Sequence, residues 1–284
     1  IGMGARFSGG EKEIESYCEY TLPTHGLITN CGKAHLEGFG SIEGVRKAKG
    51  ELFDHFKKNG GTAFINSDDK VLTNMGKGIK EIVTYGTENG LVTGIAVNSA
   101  SLLEVEVTTP AAIGIIKTNL IGEYNLPNVL AAVAIGKYFD VPDAKIKAAI
   151  ENYNPTKSRS QLILKDSNKI ILDAYNANPS SMRAAIINFA KMDGDEKVLM
   201  LGSMMELGSD TKDEHQSIIK LIDEYKWNAV ALVGENFKNM DHNYIHFESA
   251  NEAGQWFDQQ KFVNTNILIK GSRATKMETV LESK

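Results

Sequence analysis

The sequence predicts an α/β fold in two parts, and three of its features carry that prediction. Beyond residue 156, short apolar runs alternate with stretches of helical periodicity across short connections, the pattern of a mostly parallel sheet wound with helices. Before residue 155 the pattern is mixed, with short β-rich runs followed by a nearly continuous apolar helix over Asn125–Tyr138. Between them, Asn154-Pro155-Thr156-Lys157-Ser158 is polar and contains a proline, which marks it as the linker. The expected domains are 1–155 and 156–284.

Composition narrows the class. With 284 residues, 42% of them hydrophobic, the chain can bury two cores. A net charge of −5 with no basic block argues against nucleic acid as the main partner. No apolar run approaches the roughly 18 residues of a membrane helix, and no signal-peptide layout opens the sequence, so no membrane insertion is expected. Cys18 and Cys31 are too few for a disulfide framework and favour a reducing, cytoplasmic setting.

Taken in order, Ile1-Gly2-Met3-Gly4-Ala5 reads as a strand tail entering a loop, so the sequence is expected to be part of a longer protein. A polar helix over Glu11–Tyr20 precedes a short strand, Gly26-Leu27-Ile28-Thr29-Asn30. A loop bearing Lys33, His35 and Glu37 then leads to a helix from Ile42 to Phe53 with Ser41 as its N-cap. Thr62–Asn66 is the next strand, ending at Ser67-Asp68-Asp69. The β-rich runs between residues 80 and 117 are broken by Gly and Asn and predict antiparallel hairpins. A helix from Asp143 to Asn152 closes this half.

After the linker come strands over Gln161–Leu164 and Lys169–Leu172, a helix over Ser180–Lys191 and a strand over Lys197–Leu201. A helix over Lys212–Lys226, strands over Ala229–Val233 and Tyr244–Phe247, a helix over Asn251–Gln259, a strand over Asn266–Lys270 and a helix over Ala274–Leu281 complete a Rossmann-like half.

Chemistry is expected where strands end and helices begin, because ligands of open α/β sheets gather there. The loop of Lys33, His35 and Glu37 is one such place; a loop histidine is either a ligand or a structural hydrogen-bonding residue. Asp173-Ala174-Tyr175-Asn176-Ala177-Asn178-Pro179 is another. Its carboxylate and carboxamides suit a nucleotide sugar or other polar substrate, or else simply cap a helix start. Leu201-Gly202-Ser203-Met204-Met205-Glu206-Leu207-Gly208 and Lys270-Gly271-Ser272-Arg273 end two further strands, which favours one shared cleft.

Together with Ile28 through Gly40, Ala48-Lys49-Gly50-Glu51, Asn125-Leu126-Pro127-Asn128 and Arg159-Ser160-Gln161, these runs resemble the Mur ligases of peptidoglycan synthesis over almost the whole chain. The resemblance implies that 1–155 is the later part of a central ATP-binding domain and 156–284 a C-terminal Rossmann-like ligase domain. It implies that His35 and Lys49 hold Mg2+, Lys49 after carbamylation, and that Asn125 and Asn128 lie near the adenine of ATP. Arg159 and Asp173 would hold ATP from the second domain, while Tyr175, Asn176 and Asn178 would meet the phosphates and an incoming dipeptide. Lys49, His35 and Asp173 are the implied catalytic residues.

The Tyr175-Asn176-Ala177-Asn178-Pro179 run is similar to the branch that adds D-alanyl-D-alanine to UDP-N-acetylmuramoyl-tripeptide. Sister ligases that add the third stem residue carry Asp-Asn-Pro-Arg, which is absent here. The implied reaction activates the tripeptide carboxylate with the γ-phosphoryl group of ATP, and the dipeptide amine then displaces phosphate. A cytoplasmic monomer that closes by rotation near Asn154–Ser158 is implied as well.

The sequence also departs from the family pattern. No Gly-x-x-x-x-Gly-Lys-Ser/Thr loop occurs, Gly2 stands where the family carries a metal-binding Glu, and Ser203 stands where an Asp is usual. The phosphate loop and a UDP-binding domain are expected upstream of Ile1, and these residues alone are expected neither to bind ATP tightly nor to ligate. Two other classes stay open. One is an amide ligase of the folylpolyglutamate or cyanophycin type; the other is a non-catalytic fragment that retains the fold.

Overall fold

A computed structural model of the chain describes residues 12–33, 36–98 and 102–282. It divides into two compact units, Ile1–Asn119 with Glu123–Tyr153, and Leu120–Gly122 with Asn154–Lys284. No helix among the described residues is long and apolar enough to cross a membrane.

The first unit runs α1 (Glu13–Thr21), β1 (His25–Leu27), α2 (Leu36–Phe39), α3 (Ile42–Asn59), β2 (Thr62–Asn66), α4 (Lys70–Met75) and β3 (Glu81–Gly86). It continues with β4 (Val92–Asn98), β5 (Glu104–Thr109), β6 (Gly114–Lys117), α5 (Leu126–Tyr138) and α6 (Asp143–Glu151). The strands form one sheet in the order β1-β2-β3-β4-β5-β6. β1 to β4 are parallel, and β5 and β6 add antiparallel. Every residue of β2 is buried, as expected of a parallel strand covered on both faces, whereas the inward positions of β5, Val105 and Val107, alternate with outward ones. Helix α3 turns Val45, Ala48, Leu52, Phe53 and Phe56 inward at helical spacing and is capped by Ser41, whose Oγ accepts the Gly44 N–H at 3.1 Å.

The second unit runs β7 (Gln161–Lys165), β8 (Asn168–Asp173), α7 (Pro179–Lys191), β9 (Lys197–Gly202) and α8 (Thr211–Asp223). It continues with β10 (Ala229–Val233), α9 (Glu235–Lys238), β11 (Ile245–Phe247), α10 (Ala250–Gln260) and β12 (Asn266–Lys270). The order β11-β10-β9-β12-β8-β7 is parallel throughout except for the edge strand β7. Its core includes Ile170, Leu172, Val198, Met200, Ile267 and Ile269. The chain returns from β11 across the sheet to place β12 between β9 and β8, so the carboxyl ends of β8, β12 and β9 lie side by side.

The structure corrects several expectations. The run at Glu81 is not half of a hairpin: β3 pairs parallel with β2 and β4, and only β4, β5 and β6 form an antiparallel meander. A period-2 pattern does not reveal strand direction, which here is set by the crossover through α4. That short helix, not expected from the sequence, is capped by Asp69, which accepts the N–H groups of Val71 and Leu72. Helix α3 runs on to Asn59, past the expected end at Phe53. The expected last helix is two 3-10 turns, Arg273–Thr275 and Met277–Leu281, separated at Lys276, whose φ of 48° is left-handed.

Candidate active site

In the first unit, polar groups collect where β1 and β2 end. Lys49 lies midway along α3, and its Nζ donates to the carbonyl of Asn30, just beyond β1, at 2.7 Å. Half-buried there, its amine is pushed below the ordinary 10.5 by loss of solvent, with the Cys31 thiol opposing the shift. Burial in turn raises Cys31, with Lys49 pulling the other way. Lys49 borders a groove of about 560 Å³ that runs beside His25–Asn30. Glu51, two positions on, points to another side of α3 and receives the backbone N–H groups of Lys12 at 2.8 Å and Glu15 at 2.9 Å. Its carboxylate thereby caps the start of α1.

Two carboxylates after β2 are committed to backbone. Asp68 Oδ2 accepts the Thr87 N–H at 2.8 Å, and Asp69 caps α4. Among the described residues no group of three or more His, Cys, Asp or Glu could hold a metal ion. His35 and Gly2 lie outside the described residues. At the start of α5, the Asn128 amide donates to Asn125 Oδ1 at 3.0 Å, which fixes the two side chains relative to each other.

In the second unit, the ends of β8, β9 and β12 meet. Gly202 and Gly271 permit this approach: a Cβ on Gly202 would lie 2.6 Å from Thr275 Oγ1, and one on Gly271 would lie 2.5 Å from Met277 Cγ. The strand register sets Lys270 beside Asp173 on one flank and beside Leu201 on the other. Lys270 is 1% exposed, and its Nζ lies 2.5 Å from Asp173 Oδ2 and 3.3 Å from the carbonyl oxygen of Asn176. Asp173 Oδ1 accepts the Ser160 N–H at 3.0 Å. The Tyr175 N–H donates to the Ser158 carbonyl at 3.1 Å, and the Arg159 guanidinium stands 3.7 Å over the Tyr175 ring.

The structure thus brings Arg159, Asp173, Tyr175 and Asn176 together around one turn. Asn178 has a different local duty. Its Oδ1 accepts the Ser181 N–H at 2.9 Å while Ser181 Oγ accepts the Asn178 N–H at 3.1 Å, a reciprocal cap on α7. Tyr175 and Asn176 are exposed, so this polar, partly cationic turn can offer stacking and hydrogen bonding to an anionic or polar ligand.

Two residues given no individual role from the sequence shape these strand ends. One is Lys270, whose burial against Asp173 follows from register. The other is His215 on α8, fully buried, whose Nε2 accepts the Met204 N–H at 3.0 Å. Since Nε2 accepts, Nδ1 carries the proton and donates to the Thr211 carbonyl at 2.7 Å. Burial holds the imidazole below its ordinary 6.5, and the ring sits edge-on to Phe237 at 4.8 Å. His215 therefore ties down the loop after β9, where Glu206 adopts a left-handed φ of 62°. The available sequence signal was its position three and four residues before the apolar pair Ile218 and Ile219 on one helix face.

Comparison with known proteins places both units. The Mur ligase middle domain matches residues 8–136, and the Mur ligase glutamate ligase domain matches residues 158–273. The UDP-N-acetylmuramoyl-tripeptide–D-alanyl-D-alanine ligase of Buchnera aphidicola subsp. Acyrthosiphon pisum is 31% identical over 99% of this chain and 64% of its own length. The enzyme of the same name from Escherichia coli K12 is 30% identical over 100% of this chain and 64% of its own. A crystal structure of MurF from Acinetobacter baumannii superposes with a TM-score of 0.81 at 27% identity, covering 95% of this chain and 61% of that one. The chain thus spans about 64% of the length of these curated relatives.

Proposed function

The chain belongs to the Mur ligase family, and from that premise we propose that its complete protein is an ATP-dependent amide ligase joining D-alanyl-D-alanine to UDP-N-acetylmuramoyl-tripeptide. The observation that carries this reading is that curated relatives named for that pair of substrates match the chain end to end, through the second unit as well as the first. The second unit bears the Asp173–Asn178 turn, where acceptor choice is read.

In this account ATP is a substrate whose γ-phosphoryl group activates the tripeptide carboxylate as an acyl phosphate. Asn125 and Asn128, already joined at 3.0 Å, face the adenine. Asp173 and Arg159 hold nucleotide from the second unit, and Tyr175 and Asn176 meet the dipeptide. Asn178 contributes through the turn it caps, its Oδ1 being engaged by Ser181.

The chemistry around Lys49 suits a carbamate. Carbon dioxide adds to a neutral amine, and burial lowers Lys49 from its ordinary value, which enlarges the neutral fraction at a given pH. Carbamylated Lys49 and His35 would hold Mg2+, which when bound offsets the charge that builds on the transferring phosphoryl oxygens. The protein acts as a monomer in the cytoplasm, where its nucleotide substrates are found.

The test supplies the complete protein with Mg-ATP, UDP-N-acetylmuramoyl-tripeptide and one of three acceptors: D-alanyl-D-alanine, glutamate or aspartate. Phosphate release that depends on D-alanyl-D-alanine supports the reading. Release driven by glutamate or aspartate instead assigns the protein to the folylpolyglutamate or cyanophycin type, and release with none of the three marks a non-catalytic relative.

A further inference from the structure

We propose that Lys270 is a positioning residue, an internal cation that sets the Asp173 carboxylate and the turn after β8 in their working arrangement. The residue occupies the last position of a strand whose other members, Asn266, Ile267, Leu268 and Ile269, are all buried. An aliphatic side chain would complete such a strand without the cost of removing an ammonium from water. Lys270 instead buries a side chain that is 2% exposed against a carboxylate side chain that is 17% exposed.

Its contacts explain what the charge does there. One nitrogen reaches both Asp173 Oδ2, at the end of β8, and the carbonyl of Asn176, three residues on. It therefore pins the two ends of the turn Asp173–Asn176 to a single point on the neighbouring strand. With Oδ2 held on Lys270, Oδ1 is aimed at the Ser160 N–H, in a segment where Lys157, Ser158 and Ser160 all have left-handed φ values of 56°, 56° and 47°. Such residues keep that conformation only where the surroundings fix it. The Ser158 carbonyl accepts the Tyr175 N–H, and Arg159 packs on the Tyr175 ring, so segment and turn are joined at three places. Lys270 is the member of this network that comes from a different strand, and it holds the geometry without itself meeting the ligand.

The effect on ligation rests on the proposed function; the effect on Asp173 does not, and two measurements separate them. In the 284-residue chain, hydrogen exchange at the Ser160 amide is followed by NMR in Lys270→Met, Asp173→Asn and the double variant. The expected result is exchange about tenfold faster in each single variant, with no further gain in the double, because both act through one hydrogen bond. Ser160 exchange unchanged in Lys270→Met, alongside a lowered Tm, would reduce the ion pair to a stability element and overturn the proposal. If Lys270→Met does not fold, Lys270→Gln, which keeps a polar side chain of similar length without the charge, decides: Ser160 exchange accelerated there supports the proposal, and unaltered exchange overturns it.

In the complete protein, Lys270→Met should raise the KM for ATP about tenfold with kcat within about threefold, the pattern of lost ground-state binding. An active wild type with unchanged KM in the variant contradicts the positioning role. A wild type without ligation contradicts the proposed function alone, and the Ser160 exchange still decides the role of Lys270.

Discussion

Two lysines of this chain have been taken out of water in opposite ways. Lys49 has a carbonyl, that of Asn30, within hydrogen-bonding distance, and desolvation lowers its affinity for a proton. Lys270 has a carboxylate at 2.5 Å and sits in an ion pair on a buried strand. The neighbours differ: Lys49 stands beside a neutral dipole with its proton affinity lowered by burial, and Lys270 stands beside an anion in an ion pair. The two sites therefore should respond differently to the same substitution.

The largest contrast is in activity. On the role proposed for Lys49, Lys49→Met in the complete protein should reduce ligation on the order of a hundredfold, while stability changes by about 1 kcal/mol or less. A melting curve and a phosphate-release assay check both halves. Substantial ligation by Lys49→Met would break the comparison. Conversely, Lys270→Met should lower unfolding free energy by about 2–3 kcal/mol, since it leaves a partly buried carboxylate without its cation. Urea titration reads this directly, and a loss near zero would place the pair with ordinary surface ion pairs.

His215 sharpens the comparison with a third buried base. Its pKa is lowered on folding, so the unfolded chain binds more protons between the folded value and the ordinary 6.5. Stability should accordingly fall as pH drops below about 6.5 and be fully present above it. Protonation would also turn Nε2 into a donor facing the Met204 N–H. Melts at pH 7.5 and 5.5 should differ less in His215→Gln than in wild type, and an equal pH dependence in both would remove His215 as the cause.

A smaller effect is expected at the turn surface. Arg159→Ala should cost about 0.5–1 kcal/mol through loss of the cation–ring contact with Tyr175. Tyr175→Leu in the Arg159→Ala background should cost little more, which a double-mutant cycle of urea melts resolves.

Much of the second unit could be read from sequence because βα alternation leaves few arrangements: each apolar run from Lys169 to Lys270 became a strand of one sheet. The first unit was harder. The Glu81 and Val92 runs look alike in sequence, yet one lies wholly within parallel pairings and the other turns into a meander, a difference fixed by tertiary connection. The terminal run from Ala274 carries helical spacing, but Met277 and Val280 are buried by two short turns because Lys276 breaks the path.

At the sites, motif order pointed to the loops but not to the pairings inside them. That Lys270 lies opposite Asp173 is a matter of strand register between segments far apart in sequence. That Asn178 caps its helix while Asn176 stays exposed depends on backbone angles that residue type alone leaves open.

The most direct measurement of the central claim follows oxygen. If the tripeptide carboxylate is labelled with 18O and the complete protein is run with Mg-ATP and D-alanyl-D-alanine, activation through an acyl phosphate requires one labelled oxygen to leave with inorganic phosphate. That label is expected in the phosphate, in proportion to the amide formed. Amide formation with unlabelled phosphate, or phosphate release without amide, would contradict it.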